Sequence, residues 1–171
     1  VAGEFIWTGF DYIGEPTPWN GVGRGSVSGA GAIPNSSYFG VVETTGFPKD
    51  TFYFYRSQWN QNSPTLHLVT AWDEKNMLKI HDKTLVWVYS NVPKLELYRN
   101  GVLVGAARRE IRETAAGHQF FTYQTESRDD ALCEAVQSQG ADSLYVAFYV
   151  AFAPGCIEAK AFDETGAPVP T

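Results

Sequence analysis

The stretch Thr84-Leu-Val-Trp-Val-Tyr-Ser-Asn-Val-Pro-Lys-Leu-Glu-Leu-Tyr-Arg-Asn-Gly-Val102 decides the fold of most of the chain. Compact Val alternates with bulkier side chains in Leu85-Val-Trp-Val-Tyr89, and Leu alternates with other side chains in Lys94-Leu-Glu-Leu-Tyr98, the period of two of a strand. Asn100-Gly101 tolerates the positive φ angles of a type I′ turn, so the second strand is expected to close a hairpin. Outward from this stretch, residues 66–72, 119–124, 144–152 and 157–162 read as further short strands divided by turn residues. Regular spacing of this kind after Ser63-Pro64 predicts a β-sandwich of about 100 residues. Trp72 and Trp87 then read as sandwich core, and the charge-bearing segments 106–118 and 126–143 as long loops.

Before Ser63 the chain is of a different kind. Ten of the 16 glycines precede Phe47, together with Glu4, Asp11, Glu15 and Glu43 but only one base, Arg24. The run Glu4-Phe-Ile-Trp-Thr-Gly-Phe10 reads as a strand buried on both faces. Residues 11–46, with Pro16, Pro18, Pro34 and a glycine-rich run from Gly21 to Gly31, read as one long irregular loop. Pro48 suits a first helical position, and Phe52, Tyr55 and Trp59 at i, i+3 and i+7 give residues 48–59 an aromatic helical face, assigned to packing. Strand, loop and helix make one β/α unit, which cannot bury its own faces and calls for partners outside the chain.

Composition narrows the function. With 44% hydrophobic and 15% aromatic residues the chain should fold. Thirteen Lys plus Arg against 19 Asp plus Glu give a net charge of -6, with bases scattered except at Arg108-Arg109. That argues against nucleic acid and against an anionic membrane surface as partner. No run of about 18 apolar residues is present to span a bilayer. His67, His81 and His118 show no metal-ligand spacing with Cys133 and Cys156, and no cofactor is indicated. Two cysteines allow one disulfide, but unpaired thiols are the favoured reading. The glycine-rich run lacks a Walker lysine and leads to Pro34 rather than a helix, so it is no phosphate cradle. Asn35-Ser36-Ser37 matches a glycosylation acceptor without other reason to expect its use. The chain opens at Val1, and its single methionine is Met77, as expected for a piece of a longer or processed protein.

The segments Phe5-Ile-Trp-Thr-Gly-Phe-Asp-Tyr-Ile-Gly-Glu-Pro-Thr-Pro-Trp19, Ser36-Ser-Tyr-Phe-Gly-Val-Val-Glu-Thr-Thr-Gly-Phe-Pro-Lys-Asp50 and Phe52-Tyr-Phe-Tyr-Arg-Ser-Gln-Trp59 closely resemble glycoside hydrolase family 2, within it the bacterial β-galactosidases. The run from Val86 to Gly105, with Pro154-Gly-Cys-Ile-Glu-Ala-Lys-Ala-Phe-Asp163, resembles the immunoglobulin-like sandwich that follows the barrel in these enzymes. The resemblance implies a mainly β chain: the last β/α unit of an incomplete (β/α)8 barrel over residues 1–62, then an immunoglobulin-like sandwich over 63–171. It implies a retaining hydrolase of terminal β-galactosyl residues, with the remainder of the barrel and a β-galactoside as partners and room for homo-oligomeric association. β-Glucuronidases and β-mannosidases of the same family are alternatives, as is a free-standing carbohydrate-binding sandwich. Exposed barrel-facing aromatics would promote association or incomplete order before Pro64.

Retaining hydrolysis needs two carboxyl groups about 5–5.5 Å apart across the scissile bond. The resemblance puts both glutamates upstream of Val1, so no catalytic residue is expected in this chain. Trp7, near the end of a barrel strand, would stack on the apolar face of a sugar and donate its ring N–H; its plainer role is barrel core. Asp11 and Glu15 would accept hydrogen bonds from sugar hydroxyls or orient catalytic groups, or else serve as solvated or capping loop carboxylates. Trp19 would line an outer subsite or only cover the loop, the second being the favoured reading.

Overall fold

The computed structural model describes residues 5–13, 36–77, 79–80, 82–136 and 144–171, in two compact units, Val1–Phe52 and Tyr53–Thr171. In the first, β1 (Tyr12–Ile13) pairs antiparallel with β2 (Ser36–Ser37). The expected strand through Phe10 is not formed: one parallel bridge, Phe10 to Val42, is its only ladder contact among the described residues. Phe5, Trp7 and Phe10 are all exposed, Trp7 by 77%. A doubly buried strand needs a neighbour on each side, and one bridge does not supply them. The helix α1, Asp50–Trp59, starts two residues later than expected because Pro48 is held in a bridge to Val42.

The second unit is the sandwich. One sheet is built from β3 (Leu66–Val69), β4 (Lys79–Ile80), β5 (Lys83–Ser90), β9 (Cys133–Ala135) and β10 (Val146–Ala151), in the order β3-β5-β10-β9 with β4 also on β5. The other runs β11-β6-β7-β8, from β6 (Lys94–Arg99), β7 (Val102–Glu113), β8 (Gln119–Ser127) and β11 (Ile157–Phe162). All pairings in both are antiparallel. Val86 and Val88 of β5, Phe148 and Val150 of β10, Leu95 and Leu97 of β6, and Phe121 and Tyr123 of β8 belong to one core shared by the two sheets. Asn100 and Gly101 take φ of 51° and 79°, as the hairpin reading requires. Asn100 is also tied down by its side chain, which accepts from the Cys156 N–H at 2.8 Å and donates to the Pro154 carbonyl at 3.0 Å.

Three expectations change. Residues 106–118 are not a loop: β7 runs to Glu113, where a turn leads into β8, and β9 occupies part of 126–143. Trp87 does not face the core. The buried set of β5 is Thr84, Val86, Val88 and Ser90, which turns Leu85, Trp87 and Tyr89 to the outer face. There Tyr145 contacts both Trp87 and Tyr89 edge-on, each pair at 6.1 Å, and Phe54 of α1 lies 5.4 Å from Tyr89. Compact β-branched residues fill the inner face, while outside Phe54 of the helix packs on Tyr89 and Tyr145 on Trp87. Trp72 lies beyond the end of β3, half-buried at the core edge against Phe152.

The helix docks on this aromatic face through Tyr53, stacked on His67 at 3.8 Å, and through Phe54 and the buried Ser57. Gln58 Nε2 donates to the Leu144 carbonyl at 3.0 Å. Tyr55 and Trp59 stack on each other at 5.0 Å on another face, with Trp59 exposed. Asn91, buried, fixes the segment after the helix: it donates to the carbonyls of Asn60 and Ser63 and accepts from the Thr65 N–H.

Both cysteines are free, Cys133 buried and Cys156 exposed. Burial pushes the Cys133 thiol up from 9.0 to about 12. Because the unfolded chain loses this proton first, stability from Cys133 is intact below pH 9 and drains away as pH rises towards 12. A thiol-reactive disulfide reagent at neutral pH is expected to titrate one thiol quickly in the native chain and two after denaturation. Two equally fast thiols would contradict the burial of Cys133.

Candidate functional site

The predicted site residues fall in the first unit. Trp7 stands exposed on a segment whose Trp7–Thr8 peptide bond is cis. Four residues on, Asp11 is buried, with 5% of its surface exposed. Its Oδ1 accepts from the Gly40 N–H at 2.7 Å, and the Lys49 ammonium reaches Oδ1 at 2.8 Å and Oδ2 at 2.7 Å. Lys49 Nζ also donates to the Tyr38 carbonyl at 2.8 Å. The backbone repeats the connection: Val41 and Val42 donate to the carbonyls of Thr8 and Gly9, and Asp11 donates to that of Val42. Gly40 is needed at this crossing, since a Cβ there would lie 2.2 Å from the Asp11 nitrogen.

Asp11 is thus a clamp, joining residues 8–11 to residues 38–42 and 49. Both its oxygens hold protein partners. The clamp sets the backbone from which Trp7 projects, and Tyr12 meets Phe39 edge-on at 5.8 Å beside it. Tyr38, Phe47 and Phe10 are exposed as well, giving the unit an aromatic surface. Lys49 and Gly40 carry no local signal as partners of Asp11, because the contacts span 38 and 29 residues. Glu15, Trp19 and the glycine-rich run lie outside the described residues. Among the described residues no group of three or more His, Cys, Asp or Glu side chains is placed to hold a metal ion.

Residues 81–170, including the sandwich strands from β5 to β11, match a family described as a domain of unknown function, DUF4982. The chain belongs to the DUF4982 family. Beyond the DUF4982 domain the similarity extends into the first unit. The chain is 32% identical over 159 residues to the β-galactosidase BoGH2A of Bacteroides ovatus, covering 92% of this chain and 13% of that protein. It is 26% identical over 115 residues to a β-glucuronidase of Bacteroides fragilis, covering 67% of this chain and 14% of that one. The resemblance to the C-terminal region of glycoside hydrolase family 2 is met by these relatives, of which the chain spans a small fraction. In fold, it matches the crystal structure of a β-glycosidase from Bacteroides vulgatus with a TM-score of 0.57 at 21% identity, over 96% of this chain and 15% of that one.

Proposed function

We propose that the chain is the C-terminal part of a longer retaining β-galactosidase, with residues 1–62 completing its catalytic barrel and residues 63–171 forming the DUF4982 sandwich that supports it. The observation carrying this reading is the 32% identity to a β-galactosidase sustained over 92% of the chain, across both units. The exposed aromatic surface around Trp7 supports it, because apolar rings left uncovered need a partner, and the remainder of a barrel would be one.

In this reading the two catalytic glutamates stand on barrel strands upstream of Val1. Trp7 would present its ring face to the C–H surface of the bound galactosyl unit, an interaction that strengthens as positive charge develops at the sugar's anomeric carbon. Asp11 would act as a positioning residue, holding the Trp7 segment against residues 38–42. Glu15 would accept hydrogen bonds from the sugar's hydroxyls. A β-glucuronidase is the second reading, favoured by the similarity to the Bacteroides fragilis enzyme.

The test uses the longer protein. With chromogenic β-galactoside and β-glucuronide in parallel, turnover is expected on the galactoside, and Trp7→Ala should lower kcat/KM by about 100-fold with the fold retained. Turnover of the glucuronide alone would transfer the assignment to the second reading. An unchanged kcat/KM in Trp7→Ala would remove Trp7 from the sugar site.

A further inference from the structure

Beyond the first unit, the sandwich carries a recess of its own. The last β6–β7 pair is Lys94 with Arg108, but β7 and β8 continue as a two-stranded ribbon through Glu113 and Gln119. On the ribbon's inner face Arg109 pairs with Tyr123 and Ile111 with Phe121. Tyr123 and Phe121 are buried, whereas Ile111 is 67% exposed. The overhang leaves a cleft of about 260 Å³ between Arg109, Ile111, Gln119 and Phe121 of the ribbon and Gln58 and Gln61 at the end of the helix.

The chemistry of this cleft is specific. Arg109 is its only charged lining residue and makes no ion pair among the described residues. Its guanidinium is held in place, donating to the Asn91 carbonyl at 2.7 Å and lying 5.8 Å from the centroid of the Phe121 ring. In a chain of net charge -6, a fixed guanidinium without a carboxylate partner is a prepared site for an anion. The carboxamides are oriented too. Gln58 Nε2 is given to the Leu144 carbonyl, and Gln61 Nε2 to the carbonyls of Ser57 and Gln58. Their Oε1 atoms then serve as acceptors, suited to hydroxyl donors, while Gln119 offers both functions. Ile111 and Phe121 supply apolar surface. The volume lies just below the roughly 300–1,000 Å³ of sites for drug-sized ligands, which suits one sugar ring with part of its neighbour.

We propose that this cleft binds a uronic acid unit of an acidic glycan, its carboxylate on Arg109, its hydroxyls on the glutamines and its C–H face over Ile111. The choice of a glycan over another hydroxylated carboxylate rests on the glycoside hydrolase reading; the anion site stands on the geometry alone.

Titration of the 171-residue chain, followed by ¹⁵N NMR, tests this apart from any turnover. Glucuronic acid is expected to shift the side-chain amides of Gln58, Gln61 and Gln119 saturably, with a dissociation constant of about 1–10 mM, as befits so small a ligand. Galactose, without the carboxylate, should bind at least about fivefold more weakly, and added salt should narrow that gap. Ile111→Glu, at an exposed position that leaves the core intact, should weaken glucuronic acid by about tenfold and galactose by much less. Ile111→Trp should block both. Cyclohexanecarboxylate, which has the charge but no hydroxyls, should bind more weakly than glucuronic acid. Equal binding of the two carboxylates would reduce the cleft to a bare anion site and overturn its assignment to a glycan. Equal binding of glucuronic acid and galactose, shifts centred elsewhere, or no saturable shift would overturn the proposal. None of these outcomes touches hydrolysis by the longer protein, whose failure in the turnover assay would remove the glycan argument while leaving the anion site.

Discussion

Replacing Asp11 by alanine is expected to release the segment that carries Trp7, at a cost of about 3 kcal/mol in the first unit. The residue is 5% exposed and its carboxylate binds both an ammonium and a backbone N–H, so its removal strands two donors together. Lys49 keeps 25% of its side chain exposed, enough to regain some water, which places the loss at the lower end of the range for buried pairs. Amide hydrogen exchange is the suitable measurement. Gly40, Val41 and Val42, whose N–H groups bond to Asp11, Thr8 and Gly9, should exchange about 100-fold faster, whereas amides of β5 and β10 keep their rates. Asp11→Asn separates the clamp from a direct role at the sugar. It keeps an acceptor for Gly40 but loses the ion pair, so a clamp predicts intermediate exchange. A pure sugar ligand predicts native exchange with a higher KM in the longer enzyme. Native exchange at Gly40 in Asp11→Ala would refute the clamp.

This clamp marks a limit of what the sequence could show. Asp11 was visible as a candidate because it sits four residues after Trp7 in a recognisable segment. Its actual work depends on Gly40 and Lys49, and neither carries a local signal of that pairing. The strands divide along the same line. Residues 157–162 and the Asn100-Gly101 turn were legible because period and turn chemistry are local properties. β7 was hidden by its charges: Arg108, Glu110 and Arg112 alternate outward on a strand, yet beside Arg109 and Glu113 they read as a polar loop. The helix is legible in the sequence, but not which of its faces meets the sandwich. Aromatics at 52, 53, 54, 55 and 59 surround it nearly all the way, so spacing could not select Tyr53 and Phe54 as the side that meets the sandwich. The cleft beside Arg109 arises from unequal strand lengths, β7 running beyond its last pair with β6, a relation that appears only once the register is known.

The second large effect lies at the centre of the sandwich. Leu97 pairs with Gly105 and Tyr98 with Leu103, so Val104 is the extra residue of a β-bulge. Gly105 then faces the Phe148 ring, and a Cβ there would lie 2.8 Å from Cε1 and 3.1 Å from Cδ1. Phe148 is fully buried and cannot swing into solvent. Gly105→Ala should therefore destabilise the second unit by about 2–3 kcal/mol through overpacking. Phe148→Ala should cost about 3–5 kcal/mol through the opposite fault, a cavity between the sheets. The pair is more informative than either change alone. If the ring and the missing Cβ share one space, a smaller side chain at 148 should relieve the alanine at 105. The double variant Gly105→Ala/Phe148→Leu is then expected to be more stable than the sum of its single changes by about 1 kcal/mol. Urea denaturation followed by tryptophan fluorescence, to which Trp59, Trp72 and Trp87 of the second unit contribute, compares the wild type, Gly105→Ala, Phe148→Leu and the double variant. Strict additivity would mean that the two residues do not compete for the same space, and the close packing of β7 against β10 would have to be explained by other contacts.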